Sequence, residues 1–326
     1  MTTTLRALPV LAAALLFMPA CKKNLEAPTA SGATAAVTEP RNVVNPGNAE
    51  TAIEAFNNTF LVVNNGQTYY RKSVNDASAD GTWTLALDIM GMEDAYERTG
   101  RPAHKQLVSD LCTTFLQRTP TPWAWDGWND DIAWMSLALI RGYLMTGNSS
   151  FLTAAKYGFD MAWQRGWDTQ YNGGGIWEQQ PDMTPAGEAI NKNSLANNPM
   201  GKLACYIYQA NHDSYYLDRA KQIYDWSRSH LYNTSTGLVY TSIDRNNVVD
   251  QGAAVYNQGS FVDFANLLYQ ITGTQQYYDD AKRSIDYVKN NMTTGGVISN
   301  TANWLNTWAD EFARGLAAVH PGRAAG

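Results

Sequence analysis

Asp130 and Asp131 stand side by side in the run Trp123-Ala124-Trp125-Asp126-Gly127-Trp128-Asn129-Asp130-Asp131-Ile132-Ala133-Trp134. Two carboxyl groups among indoles are the chemistry of a cleft that cleaves sugars. One carboxyl can donate a proton while the other attacks or steadies the sugar cation. Indole faces give sugar rings apolar platforms. An aspartate in such a place also makes a good helix N-cap, because it accepts backbone N–H bonds and sits at the positive end of the dipole. The elements around the pair decide between the two readings.

From about residue 48 the pattern reads as helical nearly throughout. The stretch Asp130 to Met145 is apolar on almost every side, with Ile132, Met135, Leu137, Leu139, Ile140 and Leu144. A helix of that kind is buried all round. Gly147 stops it, and the next helix carries Leu152, Ala155, Phe159 and Trp163 at spacings of three and four, the mark of a one-sided outer helix. The unit recurs. Thr99-Gly100, Thr146-Gly147, Asn211-His212 and Thr272-Gly273 each close one helix, at intervals of roughly fifty to sixty residues. After three of these stops the second helix matches position by position: Phe151-Leu152, Tyr216-Leu217 and Tyr277-Tyr278, each followed by an Ala-Lys pair. The unit after Gly100 fits less well, with His104 where an aromatic belongs.

The first helix of each pair is the more apolar, as an inner ring demands. The long loops rich in Gly, Asn and Pro all precede inner helices: 119–128, 171–193 and 241–258. Loops in one recurring position gather on one face and build a cleft there. The expected fold is therefore all-α, an (α/α)6 toroid of helical hairpins, with a straight solenoid as the fallback. A small hairpin is expected around Leu238-Val239-Tyr240. The last inner helix is expected from Trp304 to Val319, ahead of the tail His320 to Gly326, so the count leaves the sixth hairpin unaccounted for.

The chain has 326 residues, 44% of them hydrophobic, enough for one large core. A net charge of −6 argues against a nucleic-acid partner, which needs a basic face. Four histidines and three cysteines show no metal-ligand spacing, and no glycine-rich phosphate loop occurs, so neither metal nor cofactor is expected. Arg6 precedes an apolar stretch, Ala7 to Ala20, too short to span a bilayer, and Cys21 follows it. Residues 1–21 read as a bacterial lipoprotein signal with lipid on Cys21, and ordinary secretion is the alternative. Residues 22–46 read as a flexible tether, and 47–326 as the catalytic domain. An exported protein on the cell surface, outer membrane or periplasm follows, meeting the membrane only through its lipid. Cys112 and Cys205 lie in helical patterns and are expected as buried free thiols.

The pair heads the second inner helix, on the loop-rich face. Side chains of consecutive helical residues diverge by about 100°. Two adjacent carboxyl groups can thus flank one bond at the spacing of about 5–5.5 Å that retention requires. Further candidates sit in the loops of the same face. Trp125 and Trp128 offer indoles. Gly174 and Gly175 would let the backbone approach a ligand, beside Trp177. Asn193 offers an amide, and Tyr256 and Gln258 precede the fourth inner helix where the aspartates precede the second.

These pieces, in this order, resemble glycoside hydrolase family 76, the bacterial endo-α-1,6-mannanases and their fungal cell-wall relatives. The resemblance rests on Trp128 to Trp134 with Thr146-Gly147, then Gly173 to Trp177, Lys192-Asn193-Ser194, and Tyr256 to Phe261. It covers roughly residues 50 to 315. Glu178 departs from it, since family members usually carry a second Trp there. The resemblance implies an (α/α)6 barrel and retaining hydrolysis of α-1,6-mannosidic linkages in α-mannan polysaccharide or oligosaccharide. It makes Asp130 the nucleophile and Asp131 the general acid/base; the residues alone do not order those roles. A monomer is expected. Two other readings stay open: a transglycosylase of the same family, and a non-catalytic glycan-binding lipoprotein.

Overall fold

The computed structural model describes residues 46–187, 190–298 and 309–319. The expected signal segment, Cys21 and all of the expected tether but Pro46 lie outside the described residues, as does the tail 320–326. The helices are α1 (Pro46–Phe60), α2 (Thr82–Thr99), α3 (Pro102–Arg118), α4 (Asn129–Thr146), α5 (Ser149–Gly166), α6 (Ser194–Asn211), α7 (Ser214–His230), α8 (Val255–Thr272), α9 (Gln275–Asn291) and α10 (Ala309–Val319).

The inner and outer layers fall as the periodicity requires. Helix α4 buries thirteen residues on every side, while α9 buries only Tyr277, Asp280, Ala281, Ser284 and Val288, a single stripe. Even-numbered helices are the inner ones and pack in sequence, α2 on α4, α4 on α6, α6 on α8, α8 on α10; α3, α5, α7 and α9 lie outside them. The arrangement is an all-α toroid of helical hairpins. The four expected stops are left-handed C-caps: Gly100, Gly147, His212 and Gly273 have φ of 63°, 77°, 56° and 70°.

One network of charges touches all five inner helices among the described residues. Lys202 on α6 meets Asp263 on α8 at 2.9 Å and Glu311 on α10 at 3.0 Å. Arg314 on α10 meets Glu311 at 2.6 Å and Asp94 on α2 at 2.7 Å. Arg141 on α4 meets Asp94 at 2.7 Å and Glu93 at 3.3 Å. Removing one partner from such a buried group strands the other and costs about 3–5 kcal/mol.

Two sequence expectations change. Residues 61–79 are not helical but form an antiparallel sheet of β1 (Leu61–Asn64), β2 (Gln67–Ser73) and β3 (Asp76–Ala79). Its central strand alternates in burial and packs on α3 through the Thr68 N–H bond to Thr114 Oγ1 at 2.8 Å. The hairpin expected at 238–240 gives only an isolated pairing of Tyr232 with Val239; the sheet on that face joins β4 (Asn191–Asn193), β5 (Ser242–Asp244) and β6 (Val249–Asp250). A further short pair is β7 (Thr293–Thr294) with β8 (Val297–Ile298). The last inner helix is described from Ala309, and Trp304 lies outside the described residues. His104, in the aromatic position, is buried against the end of α2, its Nδ1 2.9 Å from Thr99 Oγ1. Cys112 and Cys205 are separate buried thiols.

Candidate active site

The N-terminus of α4 is fixed by its neighbours rather than by a side-chain cap. Asp126 Oδ1 accepts the Trp128 N–H at 2.9 Å and makes the turn. The Asn129 N–H then donates to the Glu178 carbonyl at 2.7 Å, and Asn129 Nδ2 donates to the Trp177 carbonyl at 2.8 Å. Arg165 on α5 holds the amide oxygen of Asn129 at 2.7 Å. The segment 177–180 therefore runs alongside 127–129 and frames the first helical turn. Asp130 and Asp131 occupy that turn as the second and third helical residues.

A cavity of about 190 Å³ opens beside them. The second residues of α2, α4, α6 and α8 line it, Trp83, Asp130, Leu195 and Tyr256, and α10 adds Asp310. Asp131, Trp134, Leu87 and Glu311 complete it. The wall is thus aromatic and apolar around a cluster of acids. Alignment of the inner-helix starts would have found Trp83 and Leu195, which sequence reasoning missed.

Burial dominates the electrostatics. Asp130 is 7% exposed, and its Oδ1 is buried without a hydrogen-bond partner. Desolvation, then the charges of Asp131 and Glu178, push its carboxyl well above the usual carboxylate range. Asp131 is pushed up to about 7 by partial burial, then by Asp126 and Glu178. Glu178 is raised by burial, against which a hydrogen bond from the Asn193 side chain works. Tyr256 is raised by burial and then by Glu178 and Asp250. Glu311 in the same cavity behaves oppositely. Burial would raise it, but Lys202 and Arg314 outweigh that and leave it lowered.

The other expected contacts divide. Trp125 and Trp128 are 58% and 40% exposed, and neither is among the residues lining the cavity. Tyr256 lines the cavity. Asn193 caps α6 by accepting the Ala196 N–H at 2.8 Å while its side chain reaches Glu178. Three expectations need correction. Trp177 is 2% exposed, with Lys192 Nζ 4.5 Å and the Arg245 guanidinium 5.2 Å from its ring, so it packs the loop instead of offering a face. Gly174 and Gly175 admit an indole, not a ligand. At Gly175 φ is +86°, and an added Cβ would fall 2.4 Å from Trp226. Gln258 is fully buried and pairs both amide atoms with Val239, accepting its N–H at 3.0 Å and donating to its carbonyl at 2.9 Å.

Two buried side chains set the loop, and their sequence neighbourhood gave only a resemblance and not this task. Lys192 is fully buried, and its ammonium donates to the carbonyls of Asp168, Tyr171 and Gly174 at 2.6, 2.6 and 2.5 Å. Burial brings its pKa down to about 8, with Asp168 opposing. Asn197 closes the other side, exchanging bonds of 2.8 and 3.0 Å with the Ile176 backbone. Lys192 lies on β4 just ahead of α6 and Asn197 in the first turn of α6.

A helical toroid with clustered carboxyl groups at the loop end of its inner helices is the architecture of a carbohydrate-active protein. The family model for glycosyl hydrolase family 76 matches residues 48–313, and the chain belongs to that family. The α-1,6-mannanase GH76A of Salegentibacter sp. HEL1_6 is 30% identical, with a TM-score of 0.68 over 78% of this chain and 74% of that one. An inactive variant of the same mannanase, with two consecutive aspartates replaced by alanine and α-1,6-mannotetrose bound, superposes with a TM-score of 0.73 at 27% identity, over 84% of this chain and 80% of that one. A Schizosaccharomyces pombe protein provisionally named a mannan endo-1,6-α-mannosidase is 25% identical across 68% of this chain. The chain spans about half, 52%, of the length of that curated relative.

Proposed function

We propose that this chain is an endo-acting α-1,6-mannanase that works with retention through a covalent glycosyl-enzyme. The observation that carries the proposal is the carboxyl pair at the head of α4, Asp130 buried and Asp131 half-buried at a cavity with aromatic walls, neither in a salt bridge among the described residues. The inactive mannanase variant with two neighbouring aspartates replaced is further support. This chain has a second adjacent pair, Asp279-Asp280, but it lies on the outer helix α9.

In this reading Asp130 attacks the anomeric carbon, and Asp131 protonates the departing oxygen. Asp131 then takes a proton from water, which opens the glycosyl-enzyme and restores both groups. A pKa near 7 leaves Asp131 protonated in a useful fraction at neutral pH while keeping it a competent base for the second step. Burial and the charges of Asp131 and Glu178 oppose the ionisation of Asp130, so its carboxylate attacks only as positive charge develops on the sugar beside it. Trp83, Trp134 and Tyr256 would flank the sugar at the reacting bond, and Trp125 and Trp128 would carry the polymer beyond it. We further propose export as a lipoprotein anchored at Cys21; loss of detergent-phase partitioning in Cys21→Ser would support it, and unchanged partitioning would overturn it.

The test is incubation with linear α-1,6-mannan, with chromatography of the products and NMR of the first anomer released. A ladder of oligosaccharides with initial α-configuration is expected. Mannose as the sole early product would overturn endo action, and an initial β-anomer would overturn retention. A 2-fluoro mannosyl probe should leave its mass on the peptide that contains Asp130.

A further inference from the structure

The loop after α5 is closed by the pairing of Trp167 with Ile176, and its residues Asn172 to Gly175 all have positive φ, between 55° and 147°. Three of its carbonyls, from Asp168, Tyr171 and Gly174, converge on one point. The Lys192 ammonium fills that point and spends all three of its N–H donors there, at 2.6, 2.6 and 2.5 Å. The side chain is fully buried. Buried carbonyls without a partner are costly, so the loop keeps this course only while a cation sits in it. At neutral pH the ammonium keeps its proton, because burial brings its pKa down only to about 8. The same loop runs on to the head of α4. Trp177 donates its N–H to the Gly166 carbonyl and its indole N–H to Asp168, both at 3.1 Å, and its ring lies 4.5 Å from Lys192 Nζ. The Trp177 carbonyl takes the Asn129 side-chain amide at 2.8 Å, and the Glu178 carbonyl takes the Asn129 N–H at 2.7 Å. An unbroken chain of contacts therefore leads from the ammonium to the residue that precedes Asp130.

We propose that Lys192 is a positioning residue of this site: its ammonium, clasped by three loop carbonyls, fixes the segment that supports Asn129 and so aims Asp130 and Asp131. The proposal rests on the reading of that pair as nucleophile and acid. Lys192 itself does not reach the sugar. None of the residues that line the cavity comes from 166–180, and the aromatic wall of Trp83, Trp134 and Tyr256 stands on helices. Loss of the ammonium therefore spoils the aim of the pair and spares the grip on the sugar. A displacement of about 1 Å in a reacting group can cost about 10²-fold in rate. The other ties on the segment are neutral. Asn197 holds Ile176 at 2.8 and 3.0 Å, and the Asn191 carbonyl accepts the Glu178 N–H at 2.9 Å. Neither supplies a donor to the three converging carbonyls. A lysine with a merely structural part would change how much protein folds and leave kcat per folded molecule as it was.

The experiment measures kcat and KM on linear α-1,6-mannan, per folded molecule, for the native chain and for Lys192→Met, which keeps an apolar stem and removes the charge. In Lys192→Met kcat should fall about 30- to 100-fold while KM stays within about threefold. An unchanged kcat, or a loss carried by KM alone, overturns the proposal. Lys192→Ala refolded with n-propylammonium receives the missing atoms as a separate cation. Its kcat should exceed by at least about tenfold that of the same variant refolded with n-propanol. Equal rates with amine and alcohol overturn the proposal, and this arm decides if Lys192→Met does not fold. A native chain that leaves mannan intact would instead overturn the functional reading. Hydrogen exchange then tests Lys192 without turnover. The Asn129 amide should exchange about tenfold faster in Lys192→Met, with the Leu268 amide on α8 unchanged. Native protection of Asn129 in that variant overturns the inference.

Discussion

The chain holds the same dipeptide twice, and the two copies behave differently. On the outer helix α9, Asp280 is 2% exposed and fully engaged: the Tyr224 hydroxyl donates to it at 2.6 Å, and so does Arg228 Nε. Its neighbour Asp279 is exposed and accepts the Gln275 amide at 2.9 Å. On the inner helix α4, Asp130 is buried with an unpartnered oxygen, and Asp131 shares its cavity. Two acids in sequence therefore carry no chemistry by themselves. On α9 helical rotation sends one inward to a cation and the other to water. On α4 both line one cavity, and the charges that push their carboxyls up, Glu178 for both and Asp126 for Asp131, are also negative. The ring network repeats the lesson within one cavity: Glu311 has two cations and ionises readily, and Asp130 has none and resists.

The largest expected effect separates the two pairs by activity. Asp130→Asn should lower mannan hydrolysis by at least about 10⁴-fold, and Asp280→Asn should leave turnover per folded molecule unchanged. Equal losses in initial-rate assays would break the comparison. The second effect runs the other way. Asp280→Asn weakens the charge-assisted bonds from Arg228 and Tyr224 and should destabilise by about 2–3 kcal/mol in urea unfolding, whereas Asp130→Asn should not destabilise at all.

A smaller effect follows from the proton on Asp131. Its pKa in the folded protein, about 7, lies above the ordinary 3.8, so the folded state binds this proton more tightly than the unfolded state does. Its contribution to stability is complete below the ordinary value and is lost as pH rises through 7. Asp131→Asn should therefore melt about 2–4 °C above the native chain at pH 8, with the gap closing toward pH 4. A constant gap in scanning calorimetry would show that the shift is absent. The smallest effect is a control. Asp279→Asn should change Tm by less than about 2 °C and leave activity alone.

Much of the frame was legible in the residues. The pattern Asp130 to Met145 gave the inner helix that the structure bounds at Asn129 and Thr146, because an all-round apolar run followed by Gly147 admits little else. His212 in a left-handed cap was legible by its place in the repeat, although glycine fills the other three. The sheet at 61–79 was not, since its strands are of four, seven and four residues and only the middle one alternates in burial. Trp177 and Gln258 were placed on the correct face and given the wrong task. Their partners, Lys192 and Val239, lie fifteen and nineteen residues away along the chain, and no local spacing announces them.

The sequence by itself determined the hairpin order, the helix ends and the position of an acid pair at the loop end of an inner helix. These depend on periodicity and capping within a few residues, where local backbone energetics suffice. Only the tertiary structure decided which acids find cations, which rings stay open to a ligand, and where a proton is held at neutral pH. Those properties come from desolvation and fields between side chains tens to hundreds of positions apart, as with Lys202 and Glu311, and they exist only once the ring has brought those side chains together.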